Sequence, residues 1–152
     1  MLRRPVKRTR AGRYQIRLSA DERDLLRSLP EQLNELLADE HDPRLRRLFP
    51  PAYTDDHDKN AEYQRLMREE LLERHRAALD TLAETVDADE LDPDQINGWL
   101  SALNNFRLVL GTQLDVREDE IRDDTPEYLL YNYLTMLEGD IVEALAEALP
   151  SD

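Results

Sequence analysis

Apolar positions recur along most of this chain at the 3.6-residue spacing of helices, and the densest run is Asp92 to Leu114. There Ile96, Leu100, Leu103, Leu110 and Leu114 fall on one stripe, which Trp99, Phe106 and Val109 widen. Asp92 is a natural N-cap, Pro93 suits the first helical position, and Gln95 completes a capping box. Gly98, inside the pattern, costs a helix about 1 kcal/mol relative to Ala, which a closely crossing neighbour would offset. Gly111 offers either a stop or a second close contact.

The first residues alternate instead. Tyr14, Ile16 and Leu18 interleave with Gln15 and Arg17, the period of a half-buried strand. Val6 to Thr9 and Arg13 to Leu18 read as two short strands turned by Arg10-Ala11-Gly12. An isolated hairpin is marginal in water, so this one must lie on the helices or extend a sheet across a dimer.

Ser19 and Glu22 form a capping box, followed by Leu25, Leu26, Leu29, Leu33, Leu36 and Leu37 on one face. Pro30 predicts two helical segments, or one bent helix, over residues 20–39. Asp42-Pro43 opens a short helix, Arg44 to Leu48, which Pro50-Pro51 ends. Leu48, Phe49, Ala52 and Tyr53 form an apolar knot in that loop.

The longest helix is expected from about Asp58 to Val86, burying Tyr63, Leu66, Met67, Leu71, Ala78, Leu79 and Leu82. Its opposite face is a solvated mixture of charges. Acidic links follow at Asp87 to Leu91 and Asp115 to Asp124. Thr125 and Pro126 then open a last helix with Leu130, Leu134, Leu137, Ile141 and Leu145 inward. Tyr128, Tyr131 and Tyr133 suit its core edge or a subunit interface. The expected fold is mainly α, a bundle of about four long helices plus one short helix, with an N-terminal β-hairpin.

Composition narrows the function. At 152 residues the chain is most simply one domain, and its net charge of −14 argues against nucleic-acid binding by the body as a whole. The charge is uneven. Residues 1–20 hold seven Arg or Lys and no acid, leaving 13 basic and 34 acidic residues, or −21, for the remainder. A basic arm (1–18) thus sits on an acidic body (19–152). Its plain reading is attraction to that body or a neighbouring subunit, and its sharper reading is contact with nucleic acid or an acidic partner. The absence of cysteine excludes disulfides, thiolate zinc sites and cysteine nucleophiles. No signal peptide or membrane-spanning run is visible, so a cytoplasmic protein is expected.

No catalytic pattern emerges. Ala38, Thr54 and Leu72 stand three residues before His41, His57 and His75, so the Glu-x-x-His motif of bundle di-metal sites is missing. The run Asp55-Asp56-His57-Asp58 lacks the glycine and spacing of an EF-hand loop. Phosphate loops and nucleophile elbows are also missing. The expectation is a non-enzymatic protein without cofactor or metal. The positions singled out for interaction or a buried pair are Trp99, Asn104, Arg107, Arg44, Arg46, Arg47 and Tyr53. Arg107 lies on the apolar stripe. It pairs either with a carboxylate at a helix junction or with an anionic ligand or a partner's acid.

Several stretches carry a resemblance: Asp42-Pro43 through Arg47-Leu48-Phe49-Pro50, Ala52-Tyr53, Trp99-Leu100 with Ala102-Leu103-Asn104, and Arg107-Leu108-Val109-Leu110-Gly111-Thr112. Over about residues 13–149 the chain resembles an actinobacterial domain family of unknown function, whose genes often lie beside the Clp protease adaptor. That family is similar to oxidation-sensing transcriptional regulators that work through cysteine oxidation and a sigma-factor partner. The resemblance implies regulation through a protein partner, with transcription machinery the first to test. Without cysteine, this chain cannot sense oxidants by its own disulfide. Met67 and Met136 are the conceivable substitutes, although both read as core residues. Homodimerisation through the hairpin or last helix, DNA contact through the basic arm with Arg44, Arg46 and Arg47, and an anion near Arg107 are the other readings.

Overall fold

The computed structural model describes residues 4–39, 42–49, 57–116 and 125–147. Strands β1 (Val6–Arg8) and β2 (Tyr14–Ile16) precede helix α1 (Ala20–Leu37) and a 3-10 turn at Pro43–Leu45. Helix α2 (His57–Thr85), strand β3 (Glu90–Leu91), α3 (Pro93–Val116) and α4 (Pro126–Ala146) follow. The fold is the mainly α bundle that periodicity predicts. Tyr53 and the Asp55-Asp56 part of the acidic run lie outside the described residues, as does His41.

The local start signals operate as read. Ser19 Oγ accepts from the Glu22 N–H while Glu22 Oε1 accepts from the Ser19 N–H. Asp92 and Gln95 exchange the same pair at the head of α3, and Thr125 caps α4. Pro30 does not divide α1, which runs through it as one element. Leu26, Leu29, Pro30 and Leu33 are all buried on its inner face, and that burial offsets the roughly 3 kcal/mol an internal proline costs. Leu25, expected inside, is exposed.

The hairpin is part of a three-stranded antiparallel sheet in the order β1-β2-β3. Val6 faces Ile16, and Tyr14 faces Leu91. The stretch read as an acidic link therefore supplies a strand, with Leu91 fully buried. Val6, Tyr14 and Ile16 also enter the core. Arg4 reaches Glu147 at 2.9 Å, and Asp140 accepts from the Val6 N–H at 2.7 Å, so the arm binds the acidic body of its own chain. Arg13 pairs with Glu90 at 3.1 Å.

Arg23 fastens this sheet to the helices. Its Nη1 donates to the carbonyls of Val86 (2.8 Å) and Ala88 (2.9 Å), just past the end of α2, and Nη2 donates to Ile16 O at 3.3 Å. A cation placed on the orphan carbonyls of a helix end is favourable. Tyr133 of α4 donates to Glu22 Oε2 at 2.7 Å, joining α4 to the head of α1.

Helix α3 is the hub, packed against both α2 and α4. Gly98 lets α2 approach: a Cβ there would stand 2.7 Å from Thr81 Cγ2. Gly111 does not stop the helix, which continues to Val116; a Cβ there would stand 2.9 Å from Arg47 Nη1. Ala78, Leu79 and Leu82 are buried as expected in the last part of α2, and Val86 just past its end is buried too. Tyr63 and Leu66 are not: they are 51% and 55% exposed, and Met67 and Leu71 are half-buried. Met136, also expected in the core, is 57% exposed on α4. Among the described residues no helix is long and apolar enough to cross a membrane.

Candidate functional site

The positions singled out by sequence fall into three places. Trp99 is fully buried, and its Nε1 donates to Thr85 Oγ1 at 2.7 Å, which ties α3 to the end of α2. That satisfies the one polar atom of a large core side chain. Trp99 is thereby a core residue of the described chain, with no surface to offer.

Arg107 lies at the junction of α3 and α4. Its Nη1 stands 3.5 Å from Glu138 Oε2, and Nη2 approaches Asn104 Oδ1 at 3.4 Å. Glu138 is buried and its Oε1 has no hydrogen-bond partner. Burial raises the Glu138 carboxyl above its usual range, and Arg107 opposes the shift. The geometry is that of a helix–helix ion pair, the plainer of the two readings of Arg107. An anion arriving there would compete with Glu138.

Arg44, Arg46 and Arg47 stand on the segment after α1. Arg44 grips Asp42 with two hydrogen bonds, Nε to Oδ1 at 2.9 Å and Nη2 to Oδ2 at 2.6 Å. These bonds hold the Asp42 carboxyl below its usual range. Arg47 lies over Gly111 of α3, and Arg46 is exposed. Behind them, Leu48 O accepts from His75 Nε2 at 3.2 Å, and Asn105 Nδ2 donates to His75 Nδ1 at 2.9 Å. Burial pushes the His75 imidazole below its usual value. One neutral histidine therefore links α2, α3 and the 42–49 segment. Phe49 packs edge-on against His75, with Arg68 4.2 Å above the Phe49 ring.

Where this segment meets α3, the surface opens into a cleft of about 560 Å³. Its apolar lining comes from Leu33 and Leu36 of α1, Phe106, Val109 and Leu110 of α3, and Leu130 of α4. Among the described lining residues, Glu35, Asp39, Asp42 and Glu127 add four carboxylates, against one cation, Arg44. Glu35 and Glu127 make no ion pair among the described residues, whereas Arg44 is already committed to Asp42. The size is that of a ligand or side-chain pocket.

Of the six described positions, Arg44 alone lines this cleft; Arg47 stands near it over Gly111, a neighbour in sequence of the lining residue Leu110. Glu35 and Glu127 passed unnoticed because exposed acids on helices of an acidic chain look alike in sequence. The one available signal was that Val109 and Leu110, on the run that carries the resemblance, extend the apolar stripe of α3. Among the described residues no group of side chains has the makings of a metal site.

The chain is 33% identical over 127 residues to a putative oxidative stress regulator AosR of Mycobacterium leprae, an alignment covering 68% of this chain and 58% of that protein. It is 30% identical, with the same coverage, to the oxidative stress regulator AosR of Mycobacterium tuberculosis H37Rv. This chain thus spans under two thirds of the length of these relatives. No solved structure matches. The chain belongs to the family described as Domain of unknown function (DUF2017), whose model matches residues 3–145.

Proposed function

We propose that this chain is a non-enzymatic regulatory domain that acts in the cytoplasm by binding a protein partner, with the transcription machinery as the partner to test first. The relatives' name, oxidative stress regulator, supports a regulatory role. The observation that carries the reading is the cleft between α1, α3 and α4, walled by two of the segments that mark the family. Sensing, if this domain takes part in it, does not use a cysteine of this chain.

The test is direct binding of the purified chain to RNA polymerase core and individual sigma factors, with duplex DNA as a parallel arm at two salt concentrations. Saturable binding to one protein component, without DNA binding, is the expected result. Steeply salt-dependent DNA binding without a protein partner would replace this reading with the DNA-associated one. Deleting residues 1–17 is the wrong control, because it removes the core side chains of Val6, Tyr14 and Ile16. Lys7→Glu with Arg10→Glu changes the arm's charge at exposed positions instead.

A further inference from the structure

We infer that the cleft between α1, α3 and α4 receives a basic, amphipathic segment of the partner protein, whose apolar side chains enter the cleft while its lysines or arginines meet the rim. The inference rests on the partner-binding reading above and names the chemistry of what binds.

Two features of the cleft select that occupant. Leu36 and Leu130 are half-buried at the opening, backed by Phe106, Val109 and Leu110, so an apolar side chain entering there loses water where it meets that lining. Around that lining Asp42 and Arg44 are paired with each other, while Glu35 and Glu127 make no ion pair among the described residues. An acidic or neutral apolar segment would bring nothing to Glu35 and Glu127 and would strip water from them. A basic segment replaces that water with charge-assisted hydrogen bonds. An amphipathic helix supplies both features on one face, with apolar anchors three and four residues apart.

The chain's own segments fit poorly. Residues 117–124, between α3 and α4, carry five acids and two arginines, so their charge repeats that of the rim. In the basic arm, Arg4 and Arg13 are engaged elsewhere, with Glu147 at the C-cap of α4 and Glu90 of β3. A second copy would present an acidic body of the same sign.

The probe is a fluorescent 15-residue helical peptide of leucine and lysine, with leucines at helical spacing. A leucine–glutamate peptide and a glycine–lysine peptide of equal charge are compared with it on the full chain. The leucine–lysine peptide should bind, the other two at least about tenfold more weakly. Glu35→Gln with Glu127→Gln should weaken binding about tenfold, as should Leu130→Gln. Asp80→Asn with Glu84→Gln removes the same charge from α2, which lends no residue to the cleft, and should leave binding within about twofold. Circular dichroism establishes that each variant folds.

Equal losses from the two charge-neutralised pairs would mean diffuse attraction to an acidic protein and would overturn the inference. So would equal binding of the glycine–lysine peptide, or no binding at all. A wild-type dimer that Leu130→Gln converts to monomer, with no peptide bound, would assign the cleft to a second copy and overturn it as well. If the peptide fails while a polymerase subunit or sigma factor still binds, the partner-binding reading survives on another face. If both fail, both readings fall.

Discussion

The two ends of helix α2 obey the same periodicity and meet opposite fates. In the last part, Ala78, Leu79 and Leu82 are buried against the body, and Thr81 sits so close to α3 that only glycine fits at position 98. From Ala61 to Ala77 no side chain is buried, and Tyr63 and Leu66 stand open to water. Spacing alone marks which residues share a face; whether another element covers that face depends on where α3 passes. Helix α2 is about 43 Å long by its rise per residue, and its close approach to α3 is fixed at its far end. Among the described residues, the amino-terminal part touches the body through half-buried Leu72, the Leu48–His75–Asn105 chain and the Arg68–Phe49–His75 stack.

The largest expected effect lies in the buried end. Leu82→Ala should cost about 2–5 kcal/mol, since the side chain is almost wholly enclosed and its removal leaves a cavity. Chemical denaturation would measure it, and a cost below about 1 kcal/mol would mean that this end is not close-packed. Gly98→Ala comes next. Alanine gains about 1 kcal/mol of helix propensity, but its Cβ would stand 2.7 Å from Thr81 Cγ2 and 3.0 Å from Thr81 Cβ. Overpacking of that kind costs about 1–3 kcal/mol, so the single variant should be destabilised. Adding Thr81→Ser removes the offending methyl, keeps a hydroxyl for Ala77 O, and should recover most of the loss. A single variant more stable than wild type would break the account of the crossing.

The same distinction explains what could be read from the residues in advance. Capping boxes at Ser19–Glu22 and Asp92–Gln95 are legible because both partners lie three residues apart. Gly98 was legible as a close crossing because glycine inside a helix needs a compensating reason. The identity of its neighbour, Thr81, was not. Arg107 stands out in sequence as a charge on an apolar stripe, but nothing local chooses Glu138, 3.5 Å away but one helix on in sequence, among 34 acids. Strand β3 escaped notice because two residues carry no period; it exists because β2 lies alongside. Arg23 carries no signal in the sequence, since the carbonyls it binds are 63 and 65 residues away. The cleft is harder still: its apolar lining is legible as parts of three helical stripes, and its acidic rim only as solvated faces.

His75 sharpens the comparison from the polar side. Its hydrogen bonds are satisfied with the proton on Nε2, which leaves Nδ1 to accept from Asn105. Burial holds its folded-state pKa below the ordinary 6.5. The unfolded chain therefore takes up the proton first as pH falls. The contribution to stability is complete above about pH 6.5 and is lost on descending from there to the lower folded value. A second proton on Nδ1 would also face the Asn105 donor. Denaturation midpoints should fall over that window in the wild type, and His75→Gln should flatten this part of the profile. An identical slope in both proteins would remove His75 from the account.

The smallest effect should come from the open part of α2. Leu66→Ala removes a side chain that is 55% exposed, and alanine favours the helix slightly more than leucine. The two contributions nearly cancel, so stability should change by less than about 0.5 kcal/mol. The contrast with Leu82→Ala, two apolar residues sixteen positions apart on one helix, then measures what cover by α3 is worth at equal chemistry. The measurement is denaturation at two protein concentrations well separated in magnitude. A loss above about 1 kcal/mol that grows with concentration would show that a second copy covers this face in solution. The open part of α2 would then be an interface, and its difference from the buried end would lie in the partner rather than in the packing.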